Sequence, residues 1–422
     1  MKLNERSWVD ISLTDYEHNL CRLRRFLNTK KEIMQIVKAD AYGHGAYQIA
    51  LHAEKIGISM LGVANAEEGA LLRFQGIKLP ILILSPSLQS EIDKIIEYGL
   101  IPTVNDKYFL ESFNKSAKRF NKKLPYHINI DTGMGRSGIE YKKAFEFINH
   151  ATNCENIILE GIFSHYAESE KENDFTKLQL EKFKRIVKSL TFKCKYLHIS
   201  NSSGVINYPD EVCNLVRIGI LSFGLYTDDS IKEKIDLKQI MTFKSKISQI
   251  KKADKNTSIG YNRTFKTNRK IKYAIIPIGY ADGYDYLLSN NGKVLINEKL
   301  CSVIGKVSMD MIAVDITNTE CHLGDEAILL GPQHPEITAF ELVKSYGGSN
   351  YELVSQIGRR AKRYYWINGK FHASTPLSRR DFYPKDFSDD KLNFVVKAAV
   401  EQRLQSNEIT KLLYSEFIRR FF

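Results

Sequence analysis

The chain has 422 residues, 43% of them hydrophobic, and a formal charge of +12. That length and apolar content exclude a disordered polymer and admit two or more domains with substantial cores. Over half of the charge excess lies in residues 359–422, where 14 Lys+Arg stand against 7 Asp+Glu, a difference of +7. The body is therefore only mildly basic, and a diffuse lysine excess reads as solvated surface rather than a nucleic-acid footprint. Cys21, Cys154, Cys194, Cys213, Cys301 and Cys321 are scattered, with no C-x-x-C pair and no His spacing that suggests zinc or another metal. They read as reduced thiols of a cytoplasmic protein. The N-terminal stretch "MKLNERSWVDISL" lacks an apolar run of signal-peptide length, and no segment approaches the roughly 18 apolar residues of a membrane span.

From residue 33 to about 225, short β-branched runs alternate with stretches of helical period. The runs are "IMQIV" (33–37), "MLGVA" (60–64), "ILIL" (81–84), "IPTV" (101–104), "YHINI" (126–130), "IILEGIF" (157–163), "KYLHI" (195–199) and "LVRIGIL" (215–221). Helical patterns such as "YQIALHAEKIG", "SEIDKIIEYG" and "FTKLQLEKFKRIVKSL" fill most of the gaps. Eight strand–helix units predict an α/β fold with an N-terminal (β/α)8 barrel over residues 1–235.

Beyond residue 236 strands follow one another without helices: "MTFKSKISQI", "KYAIIPIGY", "KVLI", "CSVIG", "MIAVDI", "EAILLG". This texture predicts a C-terminal mainly-β domain over 236–385, interrupted by helices at about 338–346 and 351–358. In the last segment, 386–422, Val395, Val396, Ala399, Val400, Leu404, Ile409, Leu412, Leu413 and Phe417 recur at near-helical spacing. That pattern predicts a helical extension with one apolar face.

Barrel active sites are built from loops at the C-terminal ends of the strands. Lys38 follows the first strand, Arg136 the fifth and His165 the sixth; "SNSSG" (200–204) follows the seventh, and Arg217 and Gly219 belong to the eighth. A lysine at the end of a buried strand, near cations, loses charge readily and becomes an amine able to condense with an aldehyde. Serines and glycines after strands seven and eight occupy the position where such barrels bind phosphate. Lysine and phosphate cradle together suggest pyridoxal 5'-phosphate.

The motifs "VKADAYGHG", "DTGMGRSG", "ISNSSG", "VRIGI", "SIGYNRTF", "GYADGY" and "GKVSMDM", in this order, resemble the signature set of bacterial alanine racemases over residues 5 to 365. The resemblance implies a homodimer with shared active sites that racemises alanine by two bases and supplies D-alanine for peptidoglycan. It makes Lys38 the Schiff-base lysine and one base, and Tyr261, from the other subunit, the second. One group must remove a proton on one face of the substrate and another return it on the opposite face. His165 and Arg217 become the network that favours the Tyr261 phenolate. Arg217 also faces the cofactor's ring nitrogen. Tyr42, Ser203, Gly219, Ile220 and Tyr351 match the phosphate pocket; Arg136 and the Met309 N–H match the substrate carboxylate site; Tyr284 matches the pocket mouth. His44 reads as structural.

The chain departs from the family pattern at Asn129, where many members carry a carbamylated lysine that orients the arginine matching Arg136. Either a bound anion or Asn129 alone then holds Arg136. Asn262 stands where glycine is commoner, and Asp285-Tyr286 where Pro-Arg is usual. The same fold admits a serine or broader-specificity racemase, which Tyr351, if it narrows the pocket, disfavours. A decarboxylase is disfavoured by Arg217 at the ring nitrogen, a non-catalytic cofactor carrier by the second domain, and a cofactor-free aldolase by the phosphate cradle.

Overall fold

The computed structural model describes residues 5–27 and 31–375; the extension expected over 386–422 lies outside the described residues. Strand β1 (Ser7–Ser12) is followed by β2 (Glu32–Ile36), β3 (Met60–Val63), β4 (Ile81–Pro86), β5 (Ile101–Val104) and β6 (Leu124–Asp131). A short β7 (Ile139–Glu140) pairs with β6, and β8 (Ile157–Phe163), β9 (Tyr196–His198) and β10 (Leu215–Ile218) complete the first half. Parallel pairing runs β10-β2-β3-β4-β5-β6-β8-β9. The two ends meet where the N–H groups of Asn214 and Arg217 donate to the carbonyls of Leu197 and Ser200, both at 3.1 Å. All eight strands of the expected barrel are present. The eighth stops at Ile218 rather than 221, because the chain breaks at Gly219 and coils into a 3-10 turn, Ile220–Phe223.

Side chains alternate across the strands with period two, and the inward set fills the barrel in layers. Met34, Ile36, Met60, Leu82, Ile101, Tyr196 and Leu215 form this inner cluster. Continuing the same alternation, Lys38 follows Met34 and Ile36, Arg217 follows Leu215, and His198 follows Tyr196. Outward-facing residues pack under the helices, whose starts are fixed by side-chain caps: Asn65 accepts from Glu68 N–H, Asp106 from Phe109 N–H and Asn173 from Thr176 N–H. Each such cap is worth about 1 kcal/mol.

The second half contributes β11 (Met241–Lys246), β12 (Gln249–Ala253), β13 (Ser258–Ile259), β14 (Phe265–Lys266), β15 (Ile271–Ile276), β16 (Lys293–Ile296), β17 (Lys299–Ile304), β18 (Ile312–Asp315), β19 (Glu326–Leu330), β20 (Lys362–Ile367) and β21 (Lys370–Ser374). Ten strands form one sheet in the order β12-β15-β18-β17-β16-β19-β11-β1-β20-β21. Helices Ala339–Lys344 and Asn350–Gln356 interrupt the run near the expected places. The run read as one strand over 241–250 is two strands in opposite halves of this sheet.

Strand β1 departs from the division expected at residue 235. It belongs to the second sheet, antiparallel to β11 (Val9 opposite Phe243) and parallel to β20 (Val9 opposite Arg363). A parallel partner about 350 residues away leaves no local trace in the sequence. The barrel proper begins with helix Leu13–Leu27 and β2.

Candidate active site

Lys38 opens a turn that winds the wrong way. Ala39, Asp40, Ala41 and Tyr42 all have positive φ, between 50° and 54°. L-residues resist this left-handed conformation by roughly 1–2 kcal/mol each, so four in a row cost on the order of 4–8 kcal/mol. The turn persists because its backbone groups are taken up both from outside and from within. Ala39 N–H donates to Glu68 Oε1 at 2.8 Å, and Ala46 N–H to Asp40 Oδ1 at 2.7 Å. His44 Nδ1 faces the carbonyls of Ala41 (3.0 Å) and Tyr42 (2.8 Å). Carbonyls only accept, so Nδ1 carries the proton and Nε2 is bare, fully buried and without a partner among the described residues. Burial accordingly lowers the His44 imidazole to about 4. The ring stacks on Phe223 at 4.3 Å, which supports its reading as a structural residue.

The amine of Lys38 lies within electrostatic reach of Arg136 and Arg217. Desolvation first, then these two cations, push it below the usual lysine value, with Glu68 opposing. Arg217 is 3% exposed. Its Nη1 donates to His198 Nδ1 (2.7 Å), and its Nη2 to the carbonyls of Ser164 (2.8 Å) and Ile199 (2.7 Å) and to His165 Nδ1 (3.0 Å). Among the described residues no carboxylate touches it, and burial lowers it to about 10. A guanidinium has no acceptor, so both imidazoles must offer it a bare nitrogen. His165 therefore holds its proton on Nε2, and burial and Arg217 keep it neutral, well below the ordinary value. His198 likewise donates from Nε2 to His127 Nδ1 at 3.1 Å. The His127 Nε2 then points to Glu160 Oε2 at 3.9 Å, and Glu160 binds Lys195. Gly161 makes room for this stack, since a Cβ there would lie 2.4 Å from the His127 ring.

Four residues beyond Lys38, the Tyr42 hydroxyl sits over Gly219, where a Cβ would come within 2.8 Å of it. The Tyr42 and Tyr351 rings meet edge to face at 5.6 Å. Burial raises both phenols above their ordinary range, so both stay protonated and can donate to an anion. Ser203 Oγ pairs with Thr227 Oγ1 at 2.8 Å. Gly219 N–H donates to Ser202 Oγ at 3.0 Å and is thus already engaged, whereas Ile220 N–H opens a 3-10 turn and has no partner inside it. The hydroxyls of Tyr42 and Ser203 and the N–H of Ile220 suit an anion of phosphate's kind.

Arg136 is exposed and makes no hydrogen bond or ion pair among the described residues. Asn129 does not hold it: its Nδ2 donates to Ser137 O and Oγ, both at 3.2 Å, bracing the neighbouring residue instead. Asp131 turns its carboxylate onto the N–H groups of Gly133 and Gly135. Tyr261 and Met309 stand apart from the barrel group, 69% and 51% exposed on the second domain. Tyr261 starts a turn in which Asn262 has φ 56°. That explains the residue there, because glycine and asparagine are the ones that tolerate this region. Tyr284, expected at a pocket mouth, is 2% exposed; Gly283 (φ 98°) turns the chain inward, and Tyr280 and Tyr286 are the phenols that reach the surface. His198, His127 and Glu68 were not evident from motifs, although the inward alternation of β9 places His198 beside Tyr196; Ser202 lay within the quoted "SNSSG" but was not singled out.

Two family descriptions match the chain: alanine racemase, N-terminal domain, over residues 11–227, and alanine racemase, C-terminal domain, over 240–365. An alanine racemase from Halothermothrix orenii is 35% identical over 370 residues, 86% of this chain and 98% of the relative. The alanine racemase structure from Clostridium difficile 630 superposes with a TM-score of 0.85 at 34% identity, covering 89% of this chain and all of the other. The Bartonella henselae alanine racemase, solved with covalently bound pyridoxal phosphate, gives a TM-score of 0.78 at 29% identity over 86% of this chain and 99% of its own. With both domain descriptions matched across a barrel and sheet that superpose on solved members, the chain belongs to the alanine racemase family.

Proposed function

We propose that the chain interconverts L- and D-alanine with pyridoxal 5'-phosphate held on Lys38, in a homodimer whose sites are shared between subunits. The observation that carries this reading is a desolvated lysine amine within electrostatic reach of Arg136 and Arg217, on the same short turn as Tyr42, whose hydroxyl lies over Gly219. Those residues fit the cofactor: the amine for its aldehyde, the hydroxyls and the Ile220 N–H for its phosphate, with Tyr351 closing over Tyr42 and Gly219 lying bare beneath. When bound, the cofactor supplies an electron sink for the α-carbon.

Lys38 then serves one face of the substrate as a base, which its lowered pKa suits at neutral pH. Tyr261 serves the other face from the partner subunit, where its exposure on the second domain leaves it free to reach a neighbouring barrel. An ordinary phenol is a weak base near neutrality, and the His165 Nε2–H is a donor ready to favour its phenolate. Arg217, which cannot give up its proton, would hold the cofactor's ring nitrogen and so limit delocalisation, which would favour racemisation over transamination. Arg136 and the Met309 N–H bind the carboxylate. The proposal extends to a cytoplasmic enzyme that feeds D-alanine to peptidoglycan; the six cysteines are free, in keeping with a reducing compartment. The alternative is a serine or broader-specificity racemase, which a substrate panel separates.

Shared sites make a direct test. Lys38→Ala and Tyr261→Phe should each be inactive as pure dimers, with the cofactor's visible absorbance lost only in the first. Mixed and re-associated, they should regain about a quarter of wild-type activity, because half the dimers carry one intact site. No recovery on mixing, with subunit exchange verified, would remove the shared-site assignment.

A further inference from the structure

The left-handed turn that carries Lys38 is held from the far end of the chain. Gly43 packs against the backbone of helix Asn350–Gln356, where a Cβ would lie 2.1 Å from the Val354 carbonyl oxygen. Two neighbours on one face of β20 complete the contact. Arg363, 4% exposed, donates from Nε to the Gly43 carbonyl at 3.1 Å. Its other nitrogens gather the carbonyls of Ile357 (2.5 Å), Gly358 (2.7 Å) and Ala361 (2.8 Å). Tyr365, fully buried, donates its hydroxyl to the His44 carbonyl at 3.0 Å. Its oxygen fills the space a side chain at Gly45 would need, 1.7 Å from the Cβ position.

A left-handed turn of non-glycine residues relaxes unless its surroundings over-determine it. Glu68 secures its beginning and Asp40 closes it from within. The carbonyls of Gly43 and His44, where it must stop, are met by β20. We propose that Arg363 and Tyr365 are positioning residues that lock the Lys38 turn in its left-handed form, so that the second domain sets the direction of the lysine amine in its own subunit's barrel. Neither touches the substrate site; both act through backbone carbonyls five and six residues beyond Lys38. This rests on the reading of Lys38 as the working amine, but the lock itself is a statement about the turn.

Amide hydrogen exchange on the full-length protein, with and without pyridoxal phosphate, separates the two. In Tyr365→Phe, which keeps the ring and loses one hydrogen bond, the amides of Ala41, Gly43, His44 and Gly45 should exchange at least about tenfold faster while those of β3 to β5 are unchanged. Arg363→Gln should have a larger effect, with Arg363→Lys restoring part of the protection. Lys38 should also label with an amine-reactive reagent at a higher midpoint pH in both variants, as a mispointed amine returns to water. Unchanged exchange at residues 41–45 in Tyr365→Phe, or acceleration confined to β20 and β1, would overturn the proposal whatever the racemase activity. Faster exchange at the turn in a protein whose wild type does not racemise alanine would keep the lock and remove the functional reading. If Arg363→Gln does not fold, Tyr365→Phe decides alone.

Discussion

Single residues in this chain are dictated by space and backbone angle as much as by chemistry. Asn262 holds φ 56° beside the exposed Tyr261. Asn262→Gly should leave stability within about 0.5 kcal/mol of wild type, while the β-branched Asn262→Val should cost about 1–2 kcal/mol, read by urea unfolding. Gly161 is a second case: a methyl group there meets the His127 ring at 2.4 Å. Gly161→Ala should destabilise by about 1–3 kcal/mol and displace His127 from His198, which the imidazole resonances of the two rings would report. Lys38, Arg217 and His165 were legible because they lie at or just beyond the ends of strands of recognisable pattern, and Arg136 because it sits in the motif that follows the fifth. The state of His165 was not, since only the 3.0 Å contact with Arg217 fixes its proton on Nε2.

Whole elements were legible where their period was strong and local. The eight barrel strands and the long helices were predictable for that reason, and Asn173 at the start of helix Asp174–Lys188 shows how a boundary is written. Asn173→Ala should cost about 1 kcal/mol and lower the melting temperature by a few degrees. The left-handed turn at 39–42 was hidden, because Ala-Asp-Ala-Tyr has no preference for it and only Gly43 and Gly45 hint at a tight approach. Strand β1 was hidden as well. Its Ile11 is fully buried opposite Tyr365, so Ile11→Ala should cost about 2–5 kcal/mol. If the lock on the Lys38 turn runs through β20, the same substitution should also speed amide exchange at 41–45.

Across the molecule, burial keeps a set of histidines neutral: His44, His127, His165 and His198 are all held below the ordinary imidazole value. Between about 4 and 6.5 the unfolded chain binds a proton that folded His44 refuses, so stability rises with pH through that window and flattens below it. For His44 alone the difference amounts to roughly 3 kcal/mol. Urea unfolding at about pH 7 and pH 5 should show a large loss of stability on acidification, and His44→Gln should reduce that difference by about 2 kcal/mol, the part of the window those two pH values span. The pairing of β1 with β11 and β20 has a further consequence in time. A ribosome emits Ser7–Ser12 first, yet its antiparallel partner emerges only after residue 241 and its parallel partner after residue 362. Through most of synthesis this apolar strand has both edges bare while the barrel behind it assembles. Chaperone dependence should therefore fall most steeply once β20 clears the exit tunnel, and a ribosome-stalled chain ending at about residue 340 should keep β1 protease-sensitive.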